Sequence, residues 1–245
     1  RSTLFPYTTL FRSRTGLFTV SKGTVREALK SLEVQGFVTM KSGPEGGATI
    51  VEVPFDRTFQ LMQNYLFFKN VDIDDIYAMR RLLEPELVAG AVAHLQRADL
   101  KRLEASIEIC APAPLSAAQV VRQRAEDLHF HDLIAEANPN PFLRFMCQLL
   151  NEMLRRMVAL DGQPMDANNA KLGKTNVAAH RAILAAIQAK DVQRARSLML
   201  DHIVEAEGLV KRLHGAYQQR LVLDSDMRVS LAPPKIPAMK RKPVP

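Results

Sequence analysis

Four side chains of this sequence have the types and spacing to hold a divalent cation. Asp127 and His131 stand four apart, so on a helix both project from one face about one turn from each other. His180 and His202 flank a turn signal at Ala189–Asp191, one roughly ten residues before its centre and the other roughly twelve after it. At ~1.5 Å per residue both imidazoles lie about 15–18 Å along two antiparallel helices, level with each other. Three imidazoles and one carboxylate can then converge between helices and leave coordination positions for water or a ligand oxygen. Such a donor set accommodates Zn, Ni, Mn or Fe. Taken alone, the Asp127 and His131 pair also reads as a solvated helix face. His94, His129 and His214 do not share the geometry and read as surface or packing residues.

A second group points to nucleic acid. Ser21, Lys22, Thr24 and Arg26 crowd the first turn and a half of a helix. Hydroxyls at a helix N-terminus suit phosphate oxygens, and a guanidinium suits a guanine edge. A capped helix with a basic surface is the plain alternative. The Gly-rich segment that follows favours the first reading, because a recognition helix followed by a hairpin wing is one way to read a major groove.

The elements that must position these residues are legible from periodicity and breakers. Ser21 is a candidate N-cap for a helix over Lys22–Val34, whose Val25, Leu29 and Leu32 would form an apolar face, and Gly36 ends it. Phe37–Lys41 and Ala48–Val53 read as strands around Ser42-Gly-Pro-Glu-Gly-Gly, with Lys41, Gly46 and Gly47 at the hairpin end. Pro54 marks a domain boundary. Helices are expected near 56–68, 72–94, 98–110, 116–137, 141–159, 174–189 and 191–215, with Asp191 capping the last. Residues 216–245, rich in proline and charge, read as a disordered basic tail. The expected architecture is mainly α: a partial winged helix-turn-helix over 14–54, then an all-α helical bundle over 56–215.

Charge follows the same division. The net +7 resolves into +3 over residues 1–55, zero over 56–215 and +4 over 216–245. A basic head on a neutral body suits DNA binding joined to a sensor. No apolar run approaches 18 residues, so nothing reads as a membrane span. Cys110 and Cys147 do not make a disulfide framework, and without a secretory pattern the expected compartment is the cytoplasm.

The run Val20-Ser-Lys-Gly-Thr-Val-Arg-Glu-Ala-Leu-Lys-Ser-Leu-Glu-Val-Gln-Gly-Phe-Val closely resembles the recognition helix and first wing strand of GntR-type winged-helix transcription regulators. Gly43-Pro-Glu-Gly-Gly-Ala-Thr-Ile-Val resembles their wing. The resemblance implies DNA contacts from Ser21, Thr24 and Arg26 and a minor-groove approach by Gly46 and Gly47. Glu45 departs from the pattern, since a carboxylate near phosphate weakens binding. Residues 1–13 resemble a translated adapter sequence and are read as non-native. The family's two helices before the recognition helix need on the order of 30 residues, and only Arg14–Thr19 remain for them. The head as written is therefore expected to fold poorly and bind DNA weakly.

Downstream, Met79-Arg-Arg-Leu-Leu-Glu-Pro-Glu, Glu126-Asp-Leu-His-Phe-His-Asp-Leu-Ile with Asn138-Pro-Asn-Pro, Ala179-His-Arg-Ala-Ile-Leu-Ala-Ala-Ile and Met199-Leu-Asp-His-Ile resemble the FCD effector domain. That domain belongs to the FadR-like branch of GntR regulators. The resemblance implies a divalent metal on Asp127, His131, His180 and His202, beside which a small organic or sugar acid binds. It also implies that Arg80 reaches toward that acid. An i, i+4 ion pair with Glu84 is the other reading of Arg80. Asn140 matches a family position that reads as a turn or cap. The expected function is a homodimeric bacterial regulator of operator DNA switched by the acid, with no catalytic residues. The alternatives are a sensor fragment without DNA binding and a metallohydrolase, against which no further general base stands in an obvious position.

Overall fold

The computed structural model describes residues 20–42, 46–69, 71–161 and 167–213. Residues 1–13, Glu45, His214 and the tail over 216–245 lie outside the described residues. The described residues fall into two compact units, one ending at Tyr65 and one beginning at Leu66.

The first unit opens with α1 (Lys22–Val34), capped as expected by Ser21, whose Oγ accepts the Thr24 N–H at 3.1 Å. Gly36 at φ +85° ends it. That left-handed position lets the Gly36 and Phe37 amides reach back to the carbonyls of Glu33 and Leu32, both at 3.0 Å, in a Schellman closure. The chain then runs into β1 (Val38–Lys41), antiparallel to β2 (Gly47–Ile50), with Val38 opposite Ile50 and Lys41 opposite Gly47. Val38 and Ala48 are buried. The apolar face expected on α1 is not: Val25 and Leu29 are half-buried and Leu32 is 39% exposed. Among the described residues the element it packs on is a two-stranded hairpin, which offers too little apolar surface to cover a helix face. α2 (Phe55–Phe67) follows.

The second unit is all helical: α3 (Ile73–Ala91), α4 (Arg97–Cys110), α5 (Ala117–Ala137), α6 (Pro141–Asp161), α7 (Ala167–Gln188) and α8 (Val192–Leu213). The helix starts are set by capping side chains. Asp72 and Asp75 form a reciprocal box on α3, Ser116 accepts from Gln119 N at 3.2 Å, and Asp191 accepts from Arg194 N at 3.0 Å. Asn140 caps α6 by accepting the Phe142 and Leu143 amides at 3.0 and 3.2 Å, as its place before Pro141 suggested.

α5 positions the site. It packs on α4, α6, α3 and α7, so residues on much of its circumference are buried, including Leu128, Phe130, Leu133 and Ile134. Arg124, His131 and Asp132 are carried inward with them. α7 and α8 form an antiparallel pair joined through Lys190, at φ 58°, whose Nζ donates to Val92 O at 2.7 Å. α3 closes the bundle against α8 and α6. Between α3 and the α5–α6 corner, Asn138 Nδ2 donates to Leu87 O at 2.7 Å, in a space where a Cβ on Gly90 would stand 2.5 Å from that nitrogen.

Some boundaries depart from expectation: β2 ends at Ile50 rather than Val53, and α3 at Ala91 rather than 94. α7 begins at Ala167 rather than near 174, because Asn169, Leu172 and Asn176 are all buried. Tertiary packing there overrides the weak helix propensity of Asn and Gly. Among the described residues no helix is long and apolar enough to cross a membrane.

Candidate metal centre

His131 of α5, His180 of α7 and His202 of α8 meet in the interior, exposed by only 1%, 2% and 3%. Their Nε2 atoms form a nearly equilateral triangle: 3.3 Å from His131 to His180, 3.2 Å from His180 to His202 and 3.3 Å from His202 to His131. The levelled placement inferred from the α7–α8 turn is realised, since the two rings face each other across that hairpin. Phe130 stacks on His180 with centroids 3.9 Å apart and planes 10° apart, which fixes that ring.

Protonation follows from the surroundings. Burial pushes His180 well below the usual imidazole range, reinforced by the neighbouring His131. Burial does the same to His202, with His180 and His131 adding to it. Both are therefore neutral, as metal ligation requires. His131 turns its Nδ1 to Glu84 Oε2 at 2.5 Å. An Nδ1–H donated there leaves the Nε2 lone pair directed at the other two rings.

This donor set fits a cation. A tetrahedral ion with Zn–N bonds of about 2.0–2.1 Å separates its ligand atoms by about 3.3–3.4 Å, close to the triangle's edges. Three imidazole nitrogens facing one another at 3.2–3.3 Å cannot all be donors and acceptors in turn, so a cation at their focus satisfies what the tautomers alone do not. The three histidines lie on three helices, each held by its own packing contacts.

Asp127 lies beside this triangle rather than at its focus. Its Oδ1 is 3.8 Å from His180 Nδ1 and its Oδ2 accepts from Asn176 Nδ2 at 2.7 Å. Spacing placed Asp127 and His131 on one helix face, and both do line one cavity. Spacing alone could not reveal Asn176, which sits one turn before His180 on α7 and holds the carboxylate from the opposite wall.

Arg80 of α3 is 2% exposed and makes the i, i+4 ion pair with Glu84 that is one of the two readings of it. Its Nε pairs with Glu84 Oε1, while Nη2 has no hydrogen-bond partner and the residue lines the cavity. Its guanidinium carbon stands 5.1 Å over the Tyr77 ring, a cation–π arrangement. Burial by itself raises the Glu84 carboxyl, but the Arg80 charge and then His131 outweigh it and hold Glu84 well below the usual carboxylate range. Glu84 is thus ionised between a guanidinium and an imidazole. Its part at the site was invisible in the sequence beyond its i, i+4 relation to Arg80.

The cavity beside the triangle has about 530 Å³ of non-atom space, a figure that includes the open solvent at its mouth. Arg80, Arg124, Asp127, Asn176, His131 and His202 supply its polar wall, and Ile73, Leu128, Leu154, Leu172 and Val210 its apolar one.

The residues read as DNA-facing sit in the first unit. Ser21 and Thr24 join their hydroxyls at 3.0 Å at the start of α1, and Lys22 and Arg26 are exposed there. Lys41 is exposed at the end of β1, Gly47 opens β2 opposite it, and Gly46 precedes that strand.

Comparison with known proteins places these observations. Residues 75–205 match the FCD domain family. The chain is 25% identical over 193 residues to the HTH-type transcriptional regulator LutR of Bacillus subtilis (strain 168), covering 79% of this chain and 86% of that protein. It is 24% identical over 196 residues to the HTH-type transcriptional repressor NanR of Cronobacter sakazakii (strain ATCC BAA-894), covering 78% and 72%. Among solved structures it resembles Streptococcus agalactiae GntR, with a TM-score of 0.53 and 20% identity over 77% of this chain and 82% of that one. At that identity the likeness speaks for the fold.

Proposed function

This chain belongs to the GntR family of bacterial transcription regulators that carry an FCD domain, and from that premise we propose that its helical body senses a small carboxylate at a divalent-metal site. The observation that carries the proposal is the triangle of buried imidazole nitrogens bordering a cavity that also holds Arg80 with a free Nη2. His131, His180 and His202 would hold the ion, with Asp127 the fourth candidate ligand. When bound, the ion supplies a Lewis-acid contact for a carboxylate oxygen. Arg80 supplies the matching charge-assisted hydrogen bond from its free edge, with Glu84 keeping the other edge fixed.

We assign residues 14–54 to a winged helix-turn-helix head and residues 56–215 to the effector body. Ser21, Lys22, Thr24 and Arg26 on α1, with Lys41, Gly46 and Gly47 at the hairpin, form its DNA-facing set. Two such heads in a homodimer would read the half-sites of a palindromic operator in the cytoplasm. An acid that binds one arrangement of the heads more tightly than the other shifts their population and so the affinity for DNA. The site binds rather than turns over: Glu84 is engaged by Arg80 and His131, and Asp127 by Asn176, so neither carboxylate stands free as a general base.

The test is metal analysis of the purified chain by mass spectrometry, followed by calorimetric titration with small carboxylates before and after chelation. One ion per chain and acid binding that disappears with the ion are expected. A chain that takes up none of Zn, Ni, Mn or Fe would overturn the reading.

A further inference from the structure

Arg124 of α5 is a buried cavity-lining cation that no carboxylate meets among the described residues. It is 8% exposed, and its Nε and Nη1 have no hydrogen-bond partner. Its Nη2 reaches Asn169 O only at the long limit of 3.5 Å. The other buried or largely buried arginines of this unit are treated differently: Arg80 pairs with Glu84, and Arg155 pairs with Asp132 and Glu152. A guanidinium taken out of water without a counter-charge is costly, so a fold that keeps one has a use for it.

The fold also keeps space for it. A Cβ at Gly173, in the interior of α7, would stand 2.9 Å from Arg124 Nη2. Glycine is disfavoured inside a helix relative to alanine, and a methyl here would oblige the end of the Arg124 side chain to shift. Arg124 borders the cavity that holds His131, His202 and Arg80, and it also borders one under the Ala111–Pro114 turn. The first of these is the one that also holds Arg80 and the histidine nitrogens.

Formal charges sharpen the point. Around the cavity beside the histidines, Glu84 offsets Arg80, and Asp127 would offset one charge of a divalent ion. One charge of the ion and that of Arg124 remain, so two negative charges would make the site neutral. We propose that Arg124 takes a second anionic group of the effector, so that the cavity is built for a small dianion of the α,ω-dicarboxylate class. One carboxylate lies at the histidine centre and Arg80, the other on Arg124. This rests on the metal-and-acid reading above and names the ligand class within it.

The test compares matched acids on the zinc-loaded full chain by calorimetry: succinate, glutarate and adipate against butyrate, pentanoate and hexanoate. At least one diacid is expected to bind about ten- to a hundredfold more tightly than its matched monoacid, the range that a hydrogen bond to a charged group supplies. In Arg124→Gln that ratio is expected to fall to near one, with one zinc per chain retained. Gly173→Ala, which crowds the guanidinium without removing it, is expected to lower the ratio as well. This gives a second variant should the glutamine substitution unfold the body. Equal affinity for both series in the unsubstituted chain overturns the proposal, and so does a ratio that Arg124→Gln leaves unchanged. A chain that holds no zinc and binds neither series overturns the underlying metal reading instead, and the metal content tells the two failures apart.

Discussion

His131 Nδ1 stands 2.5 Å from Glu84 Oε2, and the other oxygen of the same carboxylate is held by Arg80. One buried carboxylate on α3 thus orients the His131 ring on α5 and neutralises the guanidinium of Arg80 beside the cavity. Glu84→Gln keeps the shape and removes the charge. Breaking a buried pair in this way costs about 3–5 kcal/mol, and losing the carboxylate behind a ligating histidine lowers metal affinity about 10- to 100-fold. Thermal denaturation and a competitive metal titration measure the two effects. A variant that keeps both melting temperature and affinity would show that Glu84 does not act on the centre.

Each histidine of the triangle is expected to be required for the ion. His180→Ala and His202→Ala should each lower metal content to well under one per chain in native mass spectrometry. His129→Ala, on a different face of α5 and outside the cavity lining, should leave it intact. Full metal content in both triangle variants would remove the assignment.

Stability without metal is expected to depend on pH in a stated direction. Burial holds His180 and His202 below the usual imidazole range in the folded chain. In the unfolded chain both protonate near pH ~6.5. Below that pH the unfolded state binds more protons than the folded one, so stability falls as pH falls. The slope is up to about 1.4 kcal/mol per pH unit for each histidine. Melting curves of chelator-treated protein between about pH 7.5 and 5.5, conditions set by that window, should show the loss. His180→Asn with His202→Asn should flatten it, and a flat profile in the unsubstituted chain would contradict the burial argument.

Gly90→Ala tests the α3–α5 corner. The added methyl would stand 2.5 Å from Asn138 Nδ2 and displace its bond to Leu87 O. Losing a buried hydrogen bond costs about 1–3 kcal/mol, against a gain of about 1 kcal/mol in helix propensity. Overpacking adds about 1–3 kcal/mol, so the net effect is a lower melting temperature. A rise in melting temperature would mean that the corner relaxes freely.

For the head, binding to operator fragments selected from genomic DNA should weaken steeply with salt. Lys22→Ala should reduce the slope of log affinity against log salt by about 0.9 for each phosphate that the ammonium neutralises. Arg26→Ala should instead relax discrimination between sites, at about 1–3 kcal/mol for one base pair read. Fluorescence anisotropy across a salt series separates the two, and a slope that Lys22→Ala does not change would take Lys22 off the phosphates.

The elements of the body were largely readable because Pro, Asn and Asp breaks fall at most helix ends, and caps such as Ser116, Asn140 and Asp191 are local. The three histidines were readable for the same local reason: a helix repeat for His131 and a turn at Lys190 for the other two. What stayed hidden depends on contacts between distant segments. Glu84, Asn176 and the lack of a carboxylate on Arg124 among the described residues are facts about what lies across from a side chain, and no spacing within one helix reports that. The early start of α7 was hidden by Gly173, which marks a breaker in sequence but a cradle for Arg124 in the fold.

The triangle of nitrogens also has a topological meaning. His131 and His180 are 49 positions apart and His180 and His202 are 22 apart. An ion shared by all three would cross-link two long chain loops at one point, as a pair of disulfides would, and would restrict the unfolded ensemble accordingly. Release of the ion would restore those loops their freedom, so the stability of this domain, and with it the resistance of the regulator to proteolysis, would depend on how fully the site is occupied.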